Sequence, residues 1–502
     1  MTTLSLASVL AEPARRRPDR IAVVEGAERT SYADLWRQAR CFATALTGQG
    51  VRPGVRVALL APNVTDFVRA YYGIIAAGGV VVPVPTLLNA EEAGYLLRHS
   101  GAELLLHHAA TAGVAEAAAA TVGIATHDVA GFGDGAEPLP SYVTRRPEDP
   151  AVIFYTSGTT GRPKGAVLTH LNLVLNATVN AVDANPLLAE DVVMGCLPLF
   201  HTFGQSVSMN TTFRVGATLV LQPRFDPIEA LRIMVAERAT IFFGVPTMYI
   251  HLLEAAGDAP ALPALRDCVS GGASLPVAVL ERFEELFATR IFEGYGLSET
   301  SPSATVNQRV YGARPGTVGH PLWGVEVEIA DPDVQDRVVL LGTEETGEVV
   351  VRGHNVFAGY LDDPAASAAV LVDGWFRTGD LGVKDSDGFV SIVDRLKDLV
   401  IRGGYNVYPR EVEETLARHP SVAQVAVIGV PDPVHGEEVC AVVVPTSADA
   451  IDAEDLRDWA RERLGRHKYP RLVELVAELP LGPSHKVLKR ELRARFTPAT
   501  QR

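Results

Sequence analysis

The sequence predicts an α/β protein: a large N-terminal part of two parallel-type α/β subdomains plus a β-rich subdomain, and a small C-terminal α/β domain. Three observations carry this. Apolar runs of strand length alternate with helical stretches from Ile21 to about Pro302, the pattern of parallel strands covered by helices. From Gly316 to Val393 the pattern changes to short β-rich segments separated by Gly and Asp, which predicts a barrel or a small antiparallel sheet. After Asp394 a compact α/β pattern restarts, and about 105 residues suffice for a separate small domain. A chain of 502 residues is also too long for one core, and its length suggests about three units.

Ile21–Val24 reads as a strand before Gly26. Ser31 can cap a helix, with Asp34 three residues on, that buries Leu35, Trp36, Ala39, Phe42, Ala43 and Leu46 at spacings of three and four. Val55–Leu60 is a strand, Asn63 a cap, Phe67–Ile75 a helix and Val80–Val82 a strand. The apolar tract Ala70–Pro85 is interrupted by Gly73, Gly78, Gly79 and Pro83, so it predicts a buried helix then a strand and no membrane span. Ala109–Ala120 is alanine-heavy and poorly patterned, which predicts a surface helix. Further on come a helix at Pro227–Arg238, a strand at Thr240–Val245, and Gly271-Gly272-Ala273 after a short strand. The C-terminal part reads as helix Glu411–Arg418, strands Val422–Val430 and Val439–Val444, helix Ala453–Gly465 and strand Leu472–Val476.

Hydrophobic content of 47% with 21% charged residues is ordinary for a soluble globular protein. A formal net charge of −15 argues against nucleic acid as the main partner. Cys41, Cys196, Cys268 and Cys440 are scattered without paired spacing, as expected of reduced thiols in a cytoplasmic protein. Met1-Thr2-Thr3-Leu4 lacks a basic start followed by an apolar core, so no secretory leader is predicted.

The most informative stretch is Thr156-Ser157-Gly158-Thr159-Thr160-Gly161-Arg162-Pro163-Lys164-Gly165. Glycines let backbone N–H groups approach a polyphosphate, hydroxyls add donors, and Lys164 adds a point charge. The run follows the buried strand Ala151–Tyr155 and precedes a helix start at Thr169-His170-Leu171-Asn172. It is not a Walker A loop, because Arg162 and Pro163 follow Gly161 where that motif requires Lys and Ser or Thr.

Downstream lie Gly294-Tyr295-Gly296-Leu297-Ser298-Glu299-Thr300, Gly374-Trp375-Phe376-Arg377-Thr378-Gly379-Asp380, Asp394–Asp398 running on to Gly403-Gly404-Tyr405, and Lys486 inside Ser484-His485-Lys486-Val487. In this order the segments resemble the adenylate-forming superfamily of acyl-CoA synthetases, firefly luciferase and peptide-synthetase adenylation domains. The resemblance spans nearly the whole chain. It implies activation of a carboxylic acid by ATP as an acyl-adenylate, with CoA or an acyl carrier protein as the acceptor, and Mg²⁺ as the metal. It also implies a mobile C-terminal domain. The N-terminal adenylate-forming domain would be residues 1–394, the hinge 395–398 with Lys397 at the pivot, and the mobile domain 399–502.

By the same resemblance, Thr156, Ser157, Gly158, Thr159, Thr160, Gly161 and Lys164 hold phosphates, and Gly272, Ala273, Gly294, Tyr295 and Gly296 line the nucleotide site. Tyr295 stacks on adenine, Asp380 takes the ribose hydroxyls, and Arg395 is a second contact there. Glu299 is the Mg²⁺ ligand, Thr300 assists at the α-phosphate, and Lys486 is the main catalytic residue, bridging acid and α-phosphate. Gly403 and Gly404 pass the acceptor thiol's arm after rotation. His485 departs from the glycine that relatives usually carry before this lysine.

Pro198-Leu199-Phe200-His201-Thr202-Phe203-Gly204 resembles the acyl-pocket motif of fatty and aryl acyl-CoA ligases. Amino-acid-activating relatives have an aspartate beside the phenylalanine, and His201 in its place offers no carboxylate to a substrate ammonium. By the same resemblance His201 would be a pocket gate, with a core histidine as the competing reading. Gly296 stands where short-chain relatives carry tryptophan, and Phe243, Val245, Met248 and Gly272 complete an apolar pocket. The resulting expectation is a medium- or long-chain aliphatic acid passed to CoA, with carrier-protein loading as the alternative.

Overall fold

The computed structural model describes residues 2–156, 162–447, 451–482 and 486–496. Four sheets are present among them. The first has the order Ala125–Asp128, Leu104–His107, Arg56–Leu60, Val80–Pro83, Pro150–Thr156, Lys164–Thr169, and is parallel except for its last pair. The second has a parallel interior of Ile291–Gly296, Asp267–Ser270, Ile241–Gly244, Val192–Gly195, Thr218–Leu221 and Ile21–Glu25. Antiparallel strands flank it on both sides. One apolar core runs through both sheets, with the helix Thr65–Ala76 buried almost all round between them. The β-rich region is a five-stranded antiparallel sheet, which decides between the two architectures predicted for it. The C-terminal region has its own five-stranded sheet and its own apolar clusters.

Local sequence explains most helix starts. Ser31 accepts a hydrogen bond from the Asp34 N–H, and Thr169 with Asn172 forms a reciprocal capping box for His170–Val179. Asn63 is not a cap. Its amide donates to the carbonyls of Gly195 and Leu197 at 3.3 and 2.8 Å, and its oxygen accepts from Leu199 N–H at 2.9 Å. It is recruited to satisfy buried backbone leading into the Pro198–Gly204 segment. The alanine-rich stretch splits into a 3₁₀ turn, Ala109–Thr111, and a helix, Ala112–Ala120, that buries Ala115, Ala118 and Ala119. Small side chains let it pack closely on the helix Ala90–Ser100, so it is a packed helix and not a purely surface one.

The glycine-rich run is set differently from the expectation. Thr156 pairs with Lys164 across antiparallel strands, so the run connects the two arms of a hairpin, and the helix comes only after the second arm. Ser157, Gly158, Thr159, Thr160 and Gly161 lie outside the described residues. Two π-helical segments, Asn180–Ala184 and Phe203–Asn210, have no signal in the periodicity. Such segments recur at functional sites because the wider turn redirects side chains.

Candidate active site

Strands of the second sheet end side by side, and the pocket opens where their carboxyl ends meet the C-terminal region. This is the general location for ligands in open α/β sheets. Ser270 and Gly271 follow one strand, Gly294–Gly296 end its neighbour, and the chain after Val192–Gly195 supplies His201. Phe203, Val207 and Lys486 complete the enclosure.

At one end the polar groups are interlocked. Tyr295 Oη donates to Asp380 Oδ2 at 2.7 Å, and Arg395 Nε lies 3.3 Å from Asp380 Oδ1. Asp380 and Arg395 face each other across antiparallel strands, which fixes their spacing. Burial first, then the Asp380 charge, pushes the Tyr295 phenol upward and keeps it a neutral donor. Glu299 is buried on a single 3₁₀ turn, Ser298–Thr300. Its Oε1 accepts from Tyr360 Oη at 3.0 Å and Thr156 Oγ1 at 3.3 Å. Lys164 Nζ sits 5.1 Å from the centre of the Tyr360 ring. The buried Thr300 hydroxyl accepts from the Leu297 N–H and donates to the Pro302 carbonyl, holding the turn that presents Glu299. Ser298 Oγ and Thr202 Oγ1, 2.8 Å apart, tie this turn to the Pro198–Gly204 segment.

Lys486 reaches this site from the far end of the sequence. A Cβ on Gly272 would lie 3.0 Å from Lys486 Cε, and Gly272 has φ of +84°, so that position suits glycine on two grounds. Burial, then Arg395, lowers the Lys486 ammonium to about 8, while Asp380 and Glu299 oppose the fall. Burial, with Lys486 adding to it, lowers His201 to about 3, so its imidazole is neutral. His201 Nδ1 accepts from the Phe203 N–H at 3.3 Å. Gly296 has a second reason to be glycine: a Cβ there would run into the Pro302 carbonyl oxygen.

Thus Gly272, Gly294, Tyr295, Gly296, His201 and Lys486 line one pocket. Asp380, Arg395, Glu299, Thr156, Thr300 and Lys164 connect to it through the bonds and contacts just described. Ala273 is exposed, one residue beyond the wall. Gly403 and Gly404 form an exposed turn whose Gly403 N–H donates to the His435 carbonyl, and neither lines the pocket. Lys397 lies on the 3₁₀ turn Leu396–Asp398. Ser484 and His485 lie outside the described residues.

The apolar wall differs from the expectation. Phe243 and Met248 are packed in the core, and Val245 stands behind Gly272. Val207, Val269 and Val306 take their place, with Asn180, Ser270 and Thr305 as polar neighbours. Val269 and Ser270 directly precede Gly271, and Thr305 lies on the hairpin arm after Gly294–Thr300, so adjacency to a motif was the available signal. Tyr360 had none. The four cysteines are buried, and burial raises the Cys196 thiol to about 12.

The family description AMP-binding enzyme matches residues 10–361, and AMP-binding enzyme C-terminal domain matches residues 411–486. The chain belongs to the adenylate-forming AMP-binding enzymes. A feruloyl-CoA synthase of Amycolatopsis sp is 39% identical over 96% of the chain and 97% of the relative. A long-chain-fatty-acid–CoA ligase of Bacillus subtilis (strain 168) is 35% identical over 97% and 94%. Among solved structures, an anthranilate CoA ligase in complex with anthranoyl-AMP superposes with a TM-score of 0.93 at 27% identity, covering 99% of this chain and 98% of that one. No helix among the described residues is long and apolar enough to cross a membrane.

Proposed function

We propose that this family member is an ATP-dependent, AMP-forming acid–CoA ligase whose acid carries a planar aromatic group. The acid carboxylate attacks the α-phosphorus of ATP, pyrophosphate leaves, and the CoA thiol then displaces AMP from the acyl-adenylate. The chain supplies no covalent nucleophile for this; it supplies charge and position. Lys486 neutralises the oxygens of the reacting carboxylate and α-phosphate. Asp380 and Arg395 orient the ribose, and Tyr295 offers its ring to adenine. Lys164 and the hydroxyls of the glycine-rich run hold the distal phosphates.

Glu299 fits a Mg²⁺ site: it is a buried carboxylate whose Oε1 is held by two hydroxyl donors, Tyr360 and Thr156, and a hard cation beside phosphate suits a carboxylate oriented in this way. When bound, that ion offsets phosphate charge. The hinge at 395–398, pivoting at Lys397, carries Lys486 out and the Gly403-Gly404 turn in for thioester formation. The placement of Lys486 over Gly272 suits the first half-reaction.

One observation carries the aromatic reading: three glycines, Gly271, Gly294 and Gly296, line the pocket together with Phe203, whose ring lies 3.3 Å from where a Gly271 Cβ would stand. Glycines beside an aromatic ring suit a flat group. The feruloyl-CoA synthase and anthranilate CoA ligase relatives support the same class. A medium- or long-chain aliphatic acid is the second reading, favoured by Val207, Val269 and Val306 and by the Bacillus subtilis relative.

The test is product formation with ATP, Mg²⁺ and CoA across benzoates, cinnamates and C4–C16 aliphatic acids, read by mass spectrometry. An acyl carrier protein is supplied in a parallel arm. Aryl-CoA as the dominant product supports the proposal. Alkyl-CoA as the dominant product moves it to the second reading, and acyl-AMP discharged only onto the carrier overturns the acceptor.

A further inference from the structure

We propose that Ser270 and Thr305 are specificity residues that hydrogen-bond a neutral oxygen substituent on the acid, a ring hydroxyl or methoxy group. This rests on the aromatic reading above and adds to it which acids are preferred.

Both residues line the pocket, and both are completely buried. Neither hydroxyl oxygen has a hydrogen-bond partner among the described residues. Of the other buried hydroxyls around the cavity, Thr300 is satisfied by backbone and Thr202 and Ser298 by each other, while Ser206 and Ser208, which flank Val207, are also unpaired. Leaving a buried hydroxyl unpaired is unfavourable, so two on one cavity wall point to a ligand that pairs them. The strands dictate the arrangement. Ser270 ends Asp267–Ser270, Thr305 sits on the hairpin arm Ser303–Val306 opposite Tyr295, and Ile291–Gly296 lies between the two. Asn180 borders the same cavity with its amide NH₂ donating to Asn176.

The charge around the cavity decides what kind of oxygen is read. Among the described residues lining it, the ionisable side chains are His201, Tyr295 and Lys486. His201 is neutral, Tyr295 is bound to Asp380, and Lys486 is reserved for the reacting carboxylate. A second carboxylate or a sulfonate would have no counter-charge. A phenol or methoxy oxygen needs none, and a hydroxyl on the protein can donate to either or accept from the phenol O–H.

The experiment compares kcat/KM for a ring-hydroxylated or methoxylated cinnamate with that for unsubstituted cinnamate, in the wild type and in Thr305→Val, Ser270→Ala and Thr305→Ser. The wild type is expected to favour the oxygenated acid. Thr305→Val and Ser270→Ala each lower that preference by roughly 3- to 10-fold, the discrimination one hydrogen bond carries, while Thr305→Ser retains it. A packing defect would depress both acids in parallel and leave the ratio where it was. An unmoved ratio in both Thr305→Val and Ser270→Ala overturns the assignment while leaving the aromatic reading intact. Absence of turnover of any aromatic acid by the wild type overturns both.

Discussion

The two ends of the pocket are built on opposite principles. At the nucleotide end the polar groups hold one another: Tyr295 bonds Asp380, Asp380 faces Arg395, and Tyr360 and Thr156 share Glu299. At the acid end Ser270 and Thr305 are buried without partners. A network that is satisfied before a ligand arrives is stiff and chemically generic, which suits a cosubstrate common to a whole family. An end with unmet donors is completed by the right substrate and penalised by the wrong one, which suits discrimination. Lys486 stands between the two and is the group both must address.

The largest way to break this division is to remove Lys486. Lys486→Ala should lower acid-dependent ATP–pyrophosphate exchange by roughly 10²–10³, the usual loss for one charge-stabilising donor. Thioester formation from premade acyl-adenylate should largely survive. Equal loss in both assays would place Lys486 outside the division of labour argued here. Asp380→Asn comes next. It removes the charge that Arg395 faces and leaves one acceptor oxygen in place of two, so KM for ATP should rise roughly 10- to 100-fold, as for loss of a charged hydrogen-bond partner. KM for the acid should move far less. Steady-state titration of each substrate separates the two ends directly.

The same division governs what the sequence disclosed. The grouping of the residues proposed for the nucleotide was legible because they sit in contiguous motifs whose chemistry depends on residue type. Asp380 and Arg395 are far apart in sequence, yet each lies in a recognisable segment, and strand pairing brings them together. The acid end was illegible because its wall comes from two π-helical segments without a periodic signature and from a hairpin arm that packs by geometry. Phe243 and Met248 were expected in an apolar pocket, but Phe243 on the strand Ile241–Gly244 and Met248 on the helix Pro246–Ala255 both pack into the core. Asn63 looked like a cap by position, and tertiary demand for its amide overrode the local preference. Ser270 and Thr305 were marked only by adjacency to motifs, since a hydroxyl shows itself as unpaired only once every neighbour has been placed.

The pH profile sharpens the picture at the next level of effect. Lys486 must be an ammonium to neutralise phosphate, and it is lowered to about 8. The cation is present below that value and lost above it, so kcat/KM for the exchange reaction should fall about tenfold per pH unit beyond roughly 8. Lys486→Arg retains its charge throughout this range, so whatever activity it keeps should lack that limb. An alkaline limb that persists in the arginine variant would assign the titration to another group.

The smallest expected effect probes the best-connected residue that the motifs did not announce. Tyr360 donates to Glu299 and lies under Lys164, so it couples the carboxylate proposed for the metal to the cation proposed for the phosphates. Tyr360→Phe removes only the hydroxyl and keeps the ring. One neutral-to-charged hydrogen bond in a partly solvated network is worth roughly 1–1.5 kcal/mol, so activity at limiting Mg²⁺ should fall about 5- to 10-fold. Because Thr156 still donates to the same oxygen, saturating Mg²⁺ should recover much of the loss. Acid preference should not change, since the residue belongs to the paired end. A shift in the ratio of hydroxylated to plain cinnamate in this variant would mean that the two ends communicate through the Glu299 turn, and the separation between a rigid nucleotide end and a reading acid end would then have to be abandoned.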